Sequence, residues 1–231
     1  METERFIKPV AYIHTGFKEK FGIPRQSGRV EETLGRIVFA EGYRDSEALR
    51  EIEGFSHLWL IFSFSELQHD KWTPTVRPPR LGGNKKVGVF ASRSPFRPNG
   101  LGLSSVRLLD VQTTEKEGTV LVVSGADLLD GTSIYDIKPY IAFSDCHTDA
   151  VSGYAEDNRN YHLEVKIPKH LENIIPEQFK EIILKCIAED PRPSYQDEPD
   201  RIYGMRYEEY DVKFTVSNGV ASIVSVDVIQ T

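Results

Sequence analysis

At 231 residues the chain is long enough for one large β domain or for a main domain with a smaller companion, and a net charge of −7 argues against a protein that coats DNA with evenly spread basic surface. The two cysteines are far apart, and the six histidines show no HxxxH or HExxH spacing, so metal chemistry has no support. No apolar run is long enough to span a bilayer and no signal peptide opens the chain, which points to a reducing cytoplasm.

The strand signals begin at residues 7–17, a mixture of β-branched and aromatic residues with Pro9, which suits a first or edge strand. Residues 21–28 carry too much Gly and Pro for a regular element, and Thr33–Ala40 reads as a strand. Asp45 or Ser46 can cap a short helix with Ala48, Leu49 and Ile52 on one face. Gly54–Phe64 is apolar on both alternating faces and is expected to be a core strand, with His57 a paired structural residue inside it. Ser65–Gly83 is a long stretch with little regular structure, the kind of loop that in compact domains tends to be functional or disordered.

Charge is concentrated in the next part of the chain. From Lys71 to Arg107 there are eight basic residues and no acidic one, so taking this +8 from the net −7 leaves −15 on the rest. An acidic protein with one basic face suits a localised anionic partner such as a structured RNA, a nucleotide or a carboxylate; the plain alternative is a solvated basic face. Within the island, Lys86–Ala91 is expected to be a short strand, and Pro95, Pro98, Gly100 and Gly102 shape the loop after it. Leu101–Val111 and Thr119–Ala126 follow as strands, Asp130-Gly131 marks a turn, and Ile134–Tyr140 is extended. Gly100-Leu101-Gly102 lacks the third glycine and the strand-to-helix context of a dinucleotide site.

Residues 144–160 are polar and aperiodic, which places a boundary there: a barrel domain over 1–155 and a small α+β domain over 156–231. In the second part a strand is expected at Tyr161–Ile167, then a helix opened by Pro176. Its Phe179, Ile182, Ile183, Cys186 and Ile187 share one face, and Pro191 and Pro193 stop it. Met205–Val216 and Val220–Ile229 flank the hairpin turn Asn218-Gly219. Short strands, no strand-helix alternation and no repeat make the fold class mainly β: an antiparallel β-barrel followed by a small α+β unit.

Three groups of segments are similar to one family. They are Arg77-Pro78-Pro79-Arg80-Leu81-Gly82-Gly83; Ser92-Arg93-Ser94-Pro95-Phe96-Arg97-Pro98-Asn99 with Gly102-Leu103-Ser104; and Asp130-Gly131-Thr132 with Asp136-Ile137-Lys138-Pro139-Tyr140. Together with Asp190-Pro191-Arg192-Pro193, and in this order, they resemble the TrmO family of tRNA methyltransferases over nearly the whole chain. The resemblance implies a six- or seven-stranded barrel that works as a homodimer and uses S-adenosylmethionine. It implies methylation of N6 of threonylcarbamoyladenosine, next to the anticodon of threonine tRNA.

By motif match the cofactor site falls on Gln26, Ser27, Gly28, His69, Asp70, Arg93, Leu103, Asp130, Gly131, Thr132 and Ser133. A guanidinium suits the cofactor carboxylate because it can donate two parallel charge-assisted bonds, which is the role expected of Arg93. Leu103 offers an apolar face for the adenine. Asp136 and Tyr140 are candidate proton acceptors beside a phosphate-side water. Arg77, Arg80, Arg97 and Lys138 are expected at RNA phosphates, and Arg192 and Tyr195 in tRNA selection. The alternative is a non-catalytic RNA-binding or cofactor-sensing barrel. The chain departs from the family pattern at Gly100, where many members carry proline.

Overall fold

A computed structural model describes residues 4, 6–64, 72–78, 81, 85–193 and 198–229. Six strands close an antiparallel barrel: β1 (Ala11–Thr15), β2 (Leu34–Phe39), β3 (His57–Ser63), β6 (Leu101–Thr114), β7 (Gly118–Ser124) and β8 (Thr132–Pro139), in the order β1-β2-β7-β6-β3-β8. A two-stranded ribbon, β4 (Thr75–Val76) with β5 (Val87–Gly88), lies in the connection between β3 and β6.

The barrel is closed by the alternation that the sequence carries. Leu58, Leu60 and Phe62 of β3 point into the lumen, where they meet Ile13, Ile37, Val106, Leu121 and Ile134, while Trp59 and Ile61 face outward. β1 is not an edge strand: it pairs with β2 on one side and β8 on the other, and Pro9 escapes the ladder by preceding it. Residues 86–91 hold only the two-residue β5 before a 3-10 turn at Val89–Ala91. The cap at Asp45 is made, since its side chain accepts the Glu47 amide at 3.0 Å, but the segment winds into 3-10 turns rather than a regular helix.

The second unit is a four-stranded sheet in the order β10 (Tyr203–Tyr207), β11 (Tyr210–Ser217), β12 (Val220–Val228), β9 (Glu164–Lys166), packed on the helix α2 (Glu177–Ala188). A short helix α1 (Ala142–Asp145) precedes it. The α2 face read from the sequence is the buried one, with Ile182, Ile183, Cys186 and Ile187 in the core. Burial pushes the Cys186 thiol far above its usual range, so it behaves as an inert apolar side chain. The single strand expected over Met205–Val216 is broken at Glu208, which adopts φ 50° and turns β10 into β11. The Asn218-Gly219 hairpin is present, with positive φ at both residues.

The two units are joined by the β1–β2 connection. Phe17, fully buried, leaves the barrel and enters the core of the second unit, edge-on to Tyr207 at 5.1 Å. Gly16 allows this approach: a Cβ there would lie 2.5 Å from the Tyr207 ring. Further along, Arg29 grips Glu189 with two bonds of 2.8 and 3.0 Å, and Arg25 donates to the Arg192 carbonyl at 2.8 Å.

Candidate active site

Strand direction puts three connections at one end of the barrel: residues 16–33 after β1, 64–100 after β3 and 125–131 after β7. At that end β6 outruns its neighbour. β3 pairs with β6 from Leu101 to Arg107, but β7 pairs with it only from Arg107 onward, so the first half of β6 has an unpaired edge. Backbone groups on such an edge need partners. The turn 26–28 supplies one: the Ser105 amide donates to Ser27 Oγ at 3.2 Å, and the Gly28 amide, donating to the Gly125 carbonyl at 3.0 Å, ties this turn to the 125–127 turn.

A cavity of about 680 Å³ opens over this seam. Its apolar wall includes Phe62, Leu103 and Leu128; its polar groups include Gln26, Arg93, Ser104, Asp127 and Thr132. The volume is within the roughly 300–1,000 Å³ usual for small-molecule sites, and an apolar wall with a few convergent polar groups is their usual character. Arg93 donates to Gln26 Oε1. Ser104 Oγ donates to Asp127 Oδ1 at 2.6 Å. Burial pushes the Asp127 carboxyl up, and the bonds from Ser104 and the Ser27 amide together with the Arg93 charge offset this only in part.

Of the residues matched by motif, Gln26, Arg93, Leu103 and Thr132 line this cavity, while Ser27 and Gly28 build the seam beneath it. Leu103, 55% exposed on the outer side of β6, offers a free apolar face. Asp130 stands apart: its carboxylate accepts the Thr15 amide at 3.1 Å and Lys18 Nζ at 3.0 Å, with His14 Nδ1 at 3.2 Å. Gly131 has φ 77° and its amide donates to the Ile13 carbonyl at 2.8 Å, and Ser133 pairs with Tyr12 across β1 and β8. His69, Asp70, Arg80 and Tyr195 lie outside the described residues.

Asp136 and Lys138 form an exposed ion pair of 3.0 Å on β8, and neither lines the cavity. Tyr140 packs its ring on Trp59 at 5.4 Å and on His57 at 6.1 Å, also outside it. His57 is paired, as a structural histidine should be, with Ser56 Oγ at 2.9 Å from its Nδ1. Arg97 lies at the cavity rim but spends its Nη1 on the Ser92 and Ser94 carbonyls at 3.0 and 3.3 Å, bracing the loop. Arg77 is exposed, whereas Arg192 is only 10% exposed and bonded to Asp190 at 2.8 Å. Gly100 is a conformational requirement here: its φ of 57° and its amide, which donates to the Arg97 carbonyl at 3.1 Å, are both denied to proline.

Sequence reasoning passed over Asp127, treating 127–133 as one turn. The available cue was alternation: Ser104 is an inward position in an apolar β6 face, and a buried hydroxyl calls for a partner.

Fold and cavity together define an antiparallel barrel that carries, at one end, a cavity of small-molecule size lined by a guanidinium and a buried carboxylate. Residues 12–146 match the tRNA-methyltransferase O N-terminal domain and residues 160–229 the TrmO C-terminal domain, so the chain belongs to the TrmO family. It is 36% identical over 217 residues to the tRNA (adenine(37)-N6)-methyltransferase of Escherichia coli, covering 90% of this chain and 92% of that protein. It is 40% identical over 214 residues to the putative S-adenosylmethionine-dependent methyltransferase RcsF of Pseudomonas aeruginosa, covering 89% and 90%. The crystal structure of TrmO from P. aeruginosa superposes with a TM-score of 0.80 at 33% identity over 99% of both chains.

Proposed function

We propose that this protein is an S-adenosylmethionine-dependent methyltransferase acting on N6 of adenosine 37 in tRNA, the base next to the anticodon, and that its substrate is threonylcarbamoyladenosine in threonine tRNA. The observation that carries this reading is the gathering of Gln26, Arg93, Leu103 and Thr132 around one cavity in a chain that matches, over 92% of that protein's length, a relative named tRNA (adenine(37)-N6)-methyltransferase. When bound, the cofactor supplies a methyl group already activated on a sulfonium sulfur: the S–CH3 bond breaks, the N6–CH3 bond forms and N6 gives up a proton. Catalysis is then mainly alignment and exclusion of water.

In this arrangement Arg93 holds the cofactor carboxylate, Leu103 supports the adenine, and the 26–28 turn fixes the floor. Asp136 and Tyr140 serve as proton acceptors only if the base reaches the outer wall of β8. Arg77, Arg80, Arg97 and Lys138 approach RNA phosphates, and the 156–231 unit, through Arg192 and Tyr195, helps select the tRNA. The protein works as a homodimer in the cytoplasm, with 1–155 as the catalytic domain.

The test is methyl transfer from labelled S-adenosylmethionine to tRNA pools with and without the threonylcarbamoyl group, followed by nucleoside mass spectrometry. Label on N6 only in the modified pool is expected. Label in both pools removes the requirement for that group, and none in either removes the enzyme reading.

A further inference from the structure

We propose that Asp127 is the residue that recognises the ammonium group of the cofactor's amino-acid tail, working opposite Arg93, which takes the carboxylate. This rests on the cofactor reading above.

A charged side chain on a buried seam is expensive unless it is paired. Asp127 has donors that aim it, Ser104 Oγ at 2.6 Å and the Ser27 amide, but makes no ion pair among the described residues. Arg93 acts on it through space while its own guanidinium bonds Gln26. The result is a carboxylate and a guanidinium lining one cavity, held by the neighbouring residues Ser27 and Gln26, each with bonding capacity beyond these partners.

That pattern is the complement of an α-amino acid zwitterion. The apolar part of the lining, with Phe62, Leu103 and Leu128, suits the uncharged nucleoside, while Lys20, Arg25 and Arg97 add further positive charge to the same cavity. A purely structural Asp127 would need only to accept from Ser104 and Ser27, a task that calls for acceptor oxygens and not for a buried charge. Burial holds the carboxyl above its ordinary range in the free protein, so an incoming cation favours the ionised form.

The experiment is calorimetric titration of wild type and Asp127→Asn with S-adenosylmethionine, S-adenosylhomocysteine and 5′-methylthioadenosine, which has no amino-acid tail. The variant is expected to bind the first two roughly ten- to a hundredfold more weakly and the third unchanged, as loss of a charge-assisted bond requires. Its free form is expected to melt at a higher temperature than wild type, because the uncompensated charge is gone. Equal weakening for all three ligands, weakening for the sulfonium alone, no weakening, or a lower melting temperature overturns the assignment. If the variant does not fold, deamino-S-adenosylhomocysteine on wild type decides: affinity equal to that of S-adenosylhomocysteine overturns it, and a tenfold loss supports it. Wild type that binds no S-adenosylmethionine overturns the cofactor reading itself, and this assignment with it.

Discussion

Asp127 and Asp130 stand three residues apart on the turn between β7 and β8, and the barrel treats them in opposite ways. Asp130 faces the β1–β2 connection; burial pushes its carboxyl up, but Lys18 Nζ, the Thr15 amide and the nearby His14 outweigh this and hold it below the usual range. Asp127 faces the cavity, where burial wins. One carboxylate is therefore part of the scaffold, satisfied by the protein itself, and the other keeps capacity for something that the protein does not supply. The difference also shows how a site is recognised physically: by a charge whose burial the fold has left only partly compensated, not by a charge as such.

The bluntest way to erase the contrast is to release the β1–β2 connection, which supplies Lys18 to one carboxylate and Ser27 to the other. Phe17→Ala removes its anchor in the second core and is expected to cost about 3–5 kcal/mol in urea denaturation, the usual range for a buried phenylalanine. A loss below about 1 kcal/mol would mean that the Arg29–Glu189 grip alone keeps the connection in place. A more selective change is Arg93→Ala, which leaves the fold intact and takes away the guanidinium beside Asp127. Cofactor affinity is expected to fall roughly ten- to a hundredfold by calorimetry. Unchanged affinity would remove Arg93 from the site.

The fold was legible where pattern and burial coincide. The alternation of Leu58, Leu60 and Phe62, the α2 face and the Asn218-Gly219 turn are each decided by neighbours within a few residues. Tertiary pairing decided the rest: of the two readings for residues 7–17, first strand or edge strand, the first holds because the barrel pairs both sides of β1, and Glu208 breaks an apparently continuous strand because β10 must fold back on β11. Around the cavity, Arg93 and Leu103 are lining residues that the motif already singled out. Asp127 was not, because its environment is made by Ser27 and Ser104, 100 and 23 residues away in sequence, across a seam that exists only because β7 is shorter than β6. Gly100, which the sequence marked only as a departure from the proline of many members, has the positive φ that the loop's shape needs.

The scaffold side of the comparison is sharpened by Asp130→Asn. At neutral pH a loss of about 1 kcal/mol is expected, the scale of partly exposed charge-assisted bonds. Because the folded carboxyl is held below its unfolded value of about 3.9, its contribution is complete above that value and is lost as pH falls through the folded one. The melting curves of wild type and variant should therefore converge in acid. Lys18, His14 and Glu208, the last 4.0 Å from Lys18, are the other charged groups in this cluster. Persistence of the full difference in acid would show that the amide bond, not the charge, matters. The sign is opposite to that expected at Asp127, where the neutral variant gains stability.

Smallest in stability is Asp136→Asn, on the same chain segment but on the outer wall. Its ion pair with Lys138 is solvent-exposed on both sides, at 49% and 62%, so Coulomb gain, desolvation and side-chain entropy nearly cancel. A change within about 0.5 kcal/mol is expected, whichever part the residue plays in the reaction. That near-silence in stability makes it a clean kinetic probe. If the target base is drawn along the outer face of β8, Asp136 accepts the N6 proton and the variant loses kcat with its melting temperature unmoved; if the base enters over the Gln26–Arg93 rim, kcat is kept and the proton leaves through water there. Single-turnover methyl transfer separates the two: a slower step in the variant supports the first route, and an unchanged one the second.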